Sequence, residues 1–164
     1  MLLAMTTAQR AQTLHAIYID DIVISDNLVM IPIKTLLKQS TQHKRKFSIH
    51  LKKLVSDPEL CVVKTLECYL NRTKSIRKDY KQLFISFKEP HNPVSKDTIS
   101  RWIKSVLREA GIDIDLFKAH STRAAAYSSA RENGVPIDEI LKTAGWANNK
   151  CFQKFYDKAI IRVD

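Results

Sequence analysis

The chain changes its hydrophobic rhythm about a third of the way along, and this change limits the folds open to it. Tyr18–Ser25 and Leu28–Ile33 are rich in Ile and Val and are separated by Asp26-Asn27, a turn pair. Lys46–Leu51 alternates basic with apolar residues. Three short extended runs in succession predict a small antiparallel meander. The polar, basic segment Lys34–Arg45 forms a loop between the second and third runs. Before the meander, residues 6–17 read as a short helix.

Beyond it the pattern is helical. Ser56-Asp57-Pro58-Glu59 carries the marks of a helix start: a capping residue, Pro in the first turn, and an acid at the positive end. Val62, Leu66, Tyr69 and Leu70 follow at helical spacing. Leu83–Phe87 reads as a short extended piece. Ser95–Ala110 predicts a helix with Trp102, Ile103, Val106 and Leu107 on one side, stopped by Gly111. Ser121–Asn133 is Ala-rich and able to pack closely, and Gly134 and Pro136 break the chain after it. Pro136–Ala144 follows, with Ile137, Ile140, Leu141 and Ala144 as its stripe, and Asn149–Lys158 is a short last helix. With no linker and no repeat, the 164 residues read as one α+β domain, mainly α: a three-stranded antiparallel sheet and about five helices.

Charge narrows the partners. Lys and Arg number 27 against 17 Asp and Glu, a net +10 that favours polyanions, nucleic acid before an anionic membrane surface. No apolar run approaches the roughly 18 residues of a spanning helix. Met1–Met5 is apolar but lacks the basic leader and cleavage site of a signal peptide. Cys61, Cys68 and Cys151 form no CxxC pair, which argues against a disulfide framework and a zinc site and for buried free thiols.

The most specific signal is an ordered set of polar residues. Arg10 lies in Gln9-Arg10-Ala11-Gln12-Thr13-Leu14. Lys38 lies in the basic loop. His120-Ser121-Thr122-Arg123 is an H-x-x-R at a helix start, Gly145-Trp146 closes the next helix, and Phe155-Tyr156 ends the last one. H-x-x-R alone is a weak motif; followed by G-W and F-Y at this spacing it is a strong one. The set, running from Arg10 to Tyr156, resembles the tyrosine recombinase, or phage integrase, family. The phrases around Arg10 and Phe152-Gln153-Lys154-Phe155-Tyr156 are similar to recombinases of eukaryotic mobile elements of the DIRS/Ngaro and Crypton types.

The resemblance implies a catalytic core that breaks and rejoins DNA strands in recombination or integration. A phosphodiester repels nucleophiles, and its transition state gathers negative charge on the nonbridging oxygens. Arg10 and Arg123 would clamp those oxygens, a task suited to bidentate guanidiniums. Tyr156 would attack as phenolate and form a 3′-phosphotyrosine. Lys38 would protonate the leaving 5′-oxygen. His120 would take or share the tyrosine proton or bond a phosphate oxygen, and Trp146 would donate its indole N–H to the phosphate. Energy stays in the ester, so neither ATP nor metal is required. Lys34, Lys44 and Arg45 are further basic candidates in the loop, either as substitutes for Lys38 or for holding the DNA backbone. The partners implied are a DNA duplex and three further copies of the chain, with no membrane, and the eukaryotic resemblance points to the nucleus.

The sequence departs from the family pattern in three ways. Thr13 stands where many members carry an acid. Tyr156 lies one residue further from Trp146 than usual, where Phe155 falls; Phe cannot attack phosphorus. Only Met1–Gln9 precede Arg10, where the family has further helices and a separate core-binding domain, so an N-terminally truncated catalytic domain is expected. A second function fits part of the sequence. Ser121–Asn133, the Gly-Pro break and Pro136–Ala144 also resemble a helix-turn-helix pair of a non-catalytic DNA-binding or domesticated element protein, with Lys142, Asn148 and Lys150 touching DNA. The strand meander and the complete Arg/Lys/His/Arg/Trp/Tyr set disfavour it. A type IB topoisomerase shares the chemistry but carries His where Trp146 stands.

Overall fold

A computed structural model describes residues 1–34 and 47–144. Helices α1 (Leu2–Thr7) and α2 (Ala11–His15) lead into a 3-10 turn at Ile19–Asp21. Strands β1 (Val23–Ile24), β2 (Leu28–Ile33) and β3 (Phe47–Lys52) follow, then α3 (Val62–Thr73), α4 (Lys96–Glu109), α5 (Ser121–Glu132) and α6 (Ile137–Ala144).

The expected meander is present. The sheet order is β1-β2-β3 with both pairings antiparallel. The Asp26-Asn27 turn closes through the Ser25 amide and hydroxyl, both donating to the Leu28 carbonyl at 2.9 and 2.8 Å. Register sets Val29 opposite Leu51 and Ile31 opposite Ile49, so both strands turn these residues to one buried face. Pro32 lies beyond the two β2 residues that β1 pairs, where β2 is an edge and a missing N–H is tolerated.

Local chemistry explains most helix ends. Ser95 Oγ accepts the Thr98 amide at 3.2 Å and caps α4. At its other end Gly111 takes φ +75°, and the Gly111 and Ile112 amides donate to the Arg108 and Leu107 carbonyls. Gly134, at φ +78°, ends α5 in the same way, with the Gly134 and Val135 amides on Arg131 and Ala130. Both are Schellman closures, which need the left-handed conformation that glycine adopts at no steric cost.

The structure revises the sequence reading in five places. Of the extended run expected over Tyr18–Ser25 only Val23–Ile24 is a strand, and Ile19–Asp21 is a 3-10 turn. The helix expected over 6–17 is two short helices broken at Ala8, which takes φ 50°, and α1 reaches back into the apolar start of the chain. Burial of Leu3, Ala4 and Thr7 supports α1 where its length alone would not. The Ser56–Glu59 signal does not start α3. Asp57 Oδ1 instead accepts the Glu59 and Leu60 amides at 3.1 and 3.2 Å, closing a turn, and α3 begins at Val62. Leu83–Phe87 forms one isolated bridge, Ile85 with Pro93, next to a bridge of Gln82 with Tyr18, and no strand. Cys68 is exposed, while Cys61 is buried and its Sγ accepts the Leu54 amide at 3.3 Å. The Lys64 backbone amide at the start of α3 holds the Cys61 thiol below the usual thiol range.

The main core gathers Leu14 and Ile17 from the α2 side, Val29, Ile31, Ile49 and Leu51 from the sheet, Val63 and Leu66 from α3, and Ile99, Ile103 and Leu107 from α4. Buried Arg77 braces the loop beside it. Its guanidinium donates to the Gln82 carbonyl, to Thr73 Oγ1 at 2.7 Å and to the Leu83 carbonyl at 3.1 Å. That loop in turn meets the chain after α2, with the Leu83 amide on Ile17 and the Ile19 amide on Lys81, each at 2.8 Å. Among the described residues, no helix is long and apolar enough to cross a membrane.

Candidate phosphate-binding site

The two candidate arginines sit on separate elements that meet. Arg10 is the N-cap residue of α2, half-buried and extended at φ −73°, ψ 151°. It leaves the left-handed turn at Ala8 and is not inside a helix, so its direction is set by that turn. Its carbonyl accepts the Thr13 and Leu14 amides at 2.8 and 3.0 Å. Thr13, the position of the missing acid, is buried.

Arg123 lies in the first turn of α5 and is only 3% exposed. A guanidinium is rarely buried so deeply without a reason, because desolvating a permanent charge is costly. Its Cζ lies 5.4 Å from the centroid of the Tyr127 ring, one helical turn further along α5. The Tyr127 hydroxyl reaches across to α1 and donates to the Ala8 carbonyl at 3.2 Å. One aromatic side chain therefore joins the arginine of α5 to the turn that launches Arg10.

A second connection runs from that turn to α6. Gln9 is buried, and its Nε2 donates to the Thr143 carbonyl at 2.8 Å and to the Thr7 carbonyl at 3.2 Å. Thr143 lies near the end of α6, three residues before Trp146. Ala8, Tyr127 and Ile140 form a small buried cluster, flanked by Ala126, Ala130, Val135 and Leu141, that closes the three segments on one another.

His120 is the N-cap residue of α5. It is exposed, and its side chain does not cap the helix. Three residues from Arg123, it lies on the same side of the first turn. Lys34 directly follows β2, exposed and ion-paired to Asp21. Lys142 belongs to α6, but its side chain lies outside the described residues. So do Lys38, Lys44, Arg45, Trp146, Lys150 and Tyr156, and with them the helix expected over Asn149–Lys158. The structure thus brings together the Arg10 turn, His120, Arg123 and the end of α6.

Gln9, Tyr127 and Arg77 were not singled out from the sequence. The i, i+4 relation of Tyr127 to Arg123 was the available signal, since it puts the ring on the face of the buried arginine. Nothing in the sequence foretold the partners of Gln9 and Arg77, which apart from the Thr73 hydroxyl are backbone carbonyls.

The sequence profile of the phage integrase family matches residues 1–160. No curated protein matches the chain. Among solved structures, XerA recombinase is 23% identical, with a TM-score of 0.72 over 96% of this chain and 50% of that one. XerH site-specific recombinase bound to difH substrate, a pre-cleavage complex, is 13% identical, with a TM-score of 0.70 over 93% of this chain and 40% of that one. FLP recombinase in a Holliday junction complex is 12% identical, with a TM-score of 0.53 over 99% of this chain and 42% of that one. These similarities are similarities of fold, and the chain spans between two fifths and one half of the length of the proteins it matches.

Proposed function

Since the chain belongs to the phage integrase family, we propose that it cleaves and rejoins DNA strands through a 3′-phosphotyrosine intermediate in recombination or integration. The observation that carries this reading is the buried guanidinium of Arg123 on the Tyr127 ring, tied through the Tyr127 hydroxyl to the turn before Arg10. An arginine anchored in this way to the turn that launches a second arginine suits a single phosphate group, with its charge spread over two nonbridging oxygens.

In the proposed reaction the Tyr156 oxygen attacks phosphorus and the bond to the 5′-oxygen breaks. The tyrosine proton passes to His120, which is exposed at the start of α5 and not spent on capping. The leaving 5′-oxygen takes a proton from Lys38. Lys34 is ion-paired to Asp21, which supports a lysine further along the loop as the acid. Arg10 and Arg123 hold the nonbridging oxygens, and Trp146 donates its indole N–H to the phosphate. Reversal with a second 5′-hydroxyl rejoins the strand and restores every group, so the cycle needs no external energy source.

The partner proposed is a DNA duplex. The net charge of +10 supports it, with Lys44, Arg45, Lys142 and Lys150 as candidate backbone contacts. Four protomers on two duplexes, an origin in a eukaryotic mobile element and a nuclear location complete the proposal; they rest on the sequence resemblance.

A nicked suicide duplex tests it. Loss of a short 5′-hydroxyl product should leave the wild-type protein covalently attached to DNA, with no adduct from Tyr156→Phe. Equal trapping by both proteins would remove Tyr156 from its role. Lys38→Ala should recover cleavage on a 5′-thio substrate, whose leaving group needs no proton; without recovery, the acid role moves to a neighbouring lysine.

A further inference from the structure

On the strand-cleavage reading above, we infer that Tyr127 and Gln9 are positioning residues: a two-bond latch that sets Arg10 against Arg123 and against the end of α6. Three features that each cost free energy converge on the same three-residue turn. Ala8 is a non-glycine residue at φ 50°, a conformation that L side chains adopt only when their surroundings hold them there. The Tyr127 hydroxyl is buried, in a cluster whose remaining members are apolar, where a phenylalanine would fill the same space without a polar group to satisfy. The Gln9 carboxamide is also buried, at 5% exposure.

Each polar group is satisfied by a distant part of the chain or by the turn itself. The hydroxyl donates to the Ala8 carbonyl, and the carboxamide donates to the Thr143 carbonyl. The small cluster could be filled by apolar side chains alone. The two directional bonds instead fix where the turn sits, and so where Arg10 begins. The Tyr127 ring lies against the Arg123 guanidinium while its hydroxyl holds the Arg10 turn, so one rigid side chain sets Arg123 relative to the turn from which Arg10 starts. Gln9 adds the register of α6, the helix that leads to Trp146.

Tyr127→Phe keeps the ring and removes only the hydroxyl, and Gln9→Met keeps the length and removes the donor. Single-turnover trapping on the suicide duplex should slow by roughly 10- to 100-fold in each, the range expected when a reacting geometry shifts by about an ångström. Affinity for the same duplex should not change. The decisive arm repeats Tyr127→Phe in an Arg10→Ala background. A hydroxyl whose task is to place Arg10 then has nothing to place, and its loss should not slow the residual rate further. Equal fold losses from Tyr127→Phe in the two backgrounds, or no loss in the first, would overturn the inference.

Hydrogen exchange separates this from failure of the functional reading. Gln9→Met should speed exchange in peptides covering 8–14 and 137–144 together, leaving those of α3 and α4 unchanged. If the wild-type protein traps no DNA, the cleavage reading fails and the exchange result alone decides the latch. Unchanged exchange over 137–144 would end it.

Discussion

The core beneath the sheet and the small cluster around Ala8, Tyr127 and Ile140 are held together in different ways. The first packs Leu, Ile and Val from α2, from the buried face of β2 and β3, and from α3 and α4. Its stability comes from apolar area removed from water, which has no preferred direction. The second buries three residues, and its geometry is fixed by hydrogen bonds from Tyr127 to Ala8 and from Gln9 to Thr143. A large apolar core tolerates small shifts in any one contact. A phosphate clamp does not, because its donors must meet oxygens at hydrogen-bond distance. The division of labour follows: apolar burial holds the domain together, and directional bonds place the arginines.

Substitutions should therefore separate folding from cleavage. The largest effect is expected from Arg123→Lys, which keeps the charge and loses the planar fork. Cleavage should fall by about 10²–10³, or roughly 3–4 kcal/mol of barrier, as for removal of an oxyanion donor. Single-turnover trapping checks this, and a rate near wild type would take Arg123 out of the clamp. Next comes Ile31→Ala in the fully buried sheet face. It should lower unfolding stability by about 3 kcal/mol, through lost burial and the cavity left behind. The cleavage rate per folded molecule should hold; a parallel loss in rate would show that the two regions are not separable.

Arg77→Met should have a smaller effect, about 2 kcal/mol of stability in a denaturant titration, because the Gln82 and Leu83 carbonyls lose a buried donor. It sharpens the comparison because Arg77, as buried as Arg123, is spent entirely on the protein's own backbone and on Thr73. Its loss should lower the melting temperature without changing DNA trapping at a temperature where the variant is folded. A specific loss of trapping would move Arg77 into the site.

The contrast also explains what was legible in the sequence. The meander was readable because alternation and the Asp26-Asn27 turn are local, and the ends of α4 and α5 because Ser95, Gly111 and Gly134 act on their own neighbours. The order Arg10, His120, Arg123 could be proposed from the sequence because a reaction fixes which groups it needs. The break at Ala8 was not: alanine is the best helix former, and only the fold around it makes the left-handed turn worthwhile. The Ser56–Glu59 signal misled because a capping residue and a turn residue use the same side-chain bond, and Asp57 spends its carboxylate on the turn. Gln9 and Tyr127 were hidden for a third reason. Their partners are carbonyls 134 and 119 residues away, and every residue has a carbonyl, so no sequence pattern marks them.

The smallest effect expected is that of Ala8→Gly, and there three terms nearly cancel. Removing Cβ at φ 50° relieves roughly 1–2 kcal/mol of left-handed strain. Glycine gives back about 0.4–1 kcal/mol through the greater freedom of the unfolded chain. The lost methyl, buried against Tyr127 and Ile140, forfeits about 0.8 kcal/mol of burial. The sum lies within about 0.8 kcal/mol of zero, so denaturation should barely distinguish the variant from wild type. A clear stabilisation would mean that the methyl does little in the cluster and the strain is larger than supposed. A clear loss would mean that packing around Ala8, more than the bonds from Tyr127 and Gln9, holds the turn, and the distinction between an apolar core and a bonded site would give way at the point where it matters most.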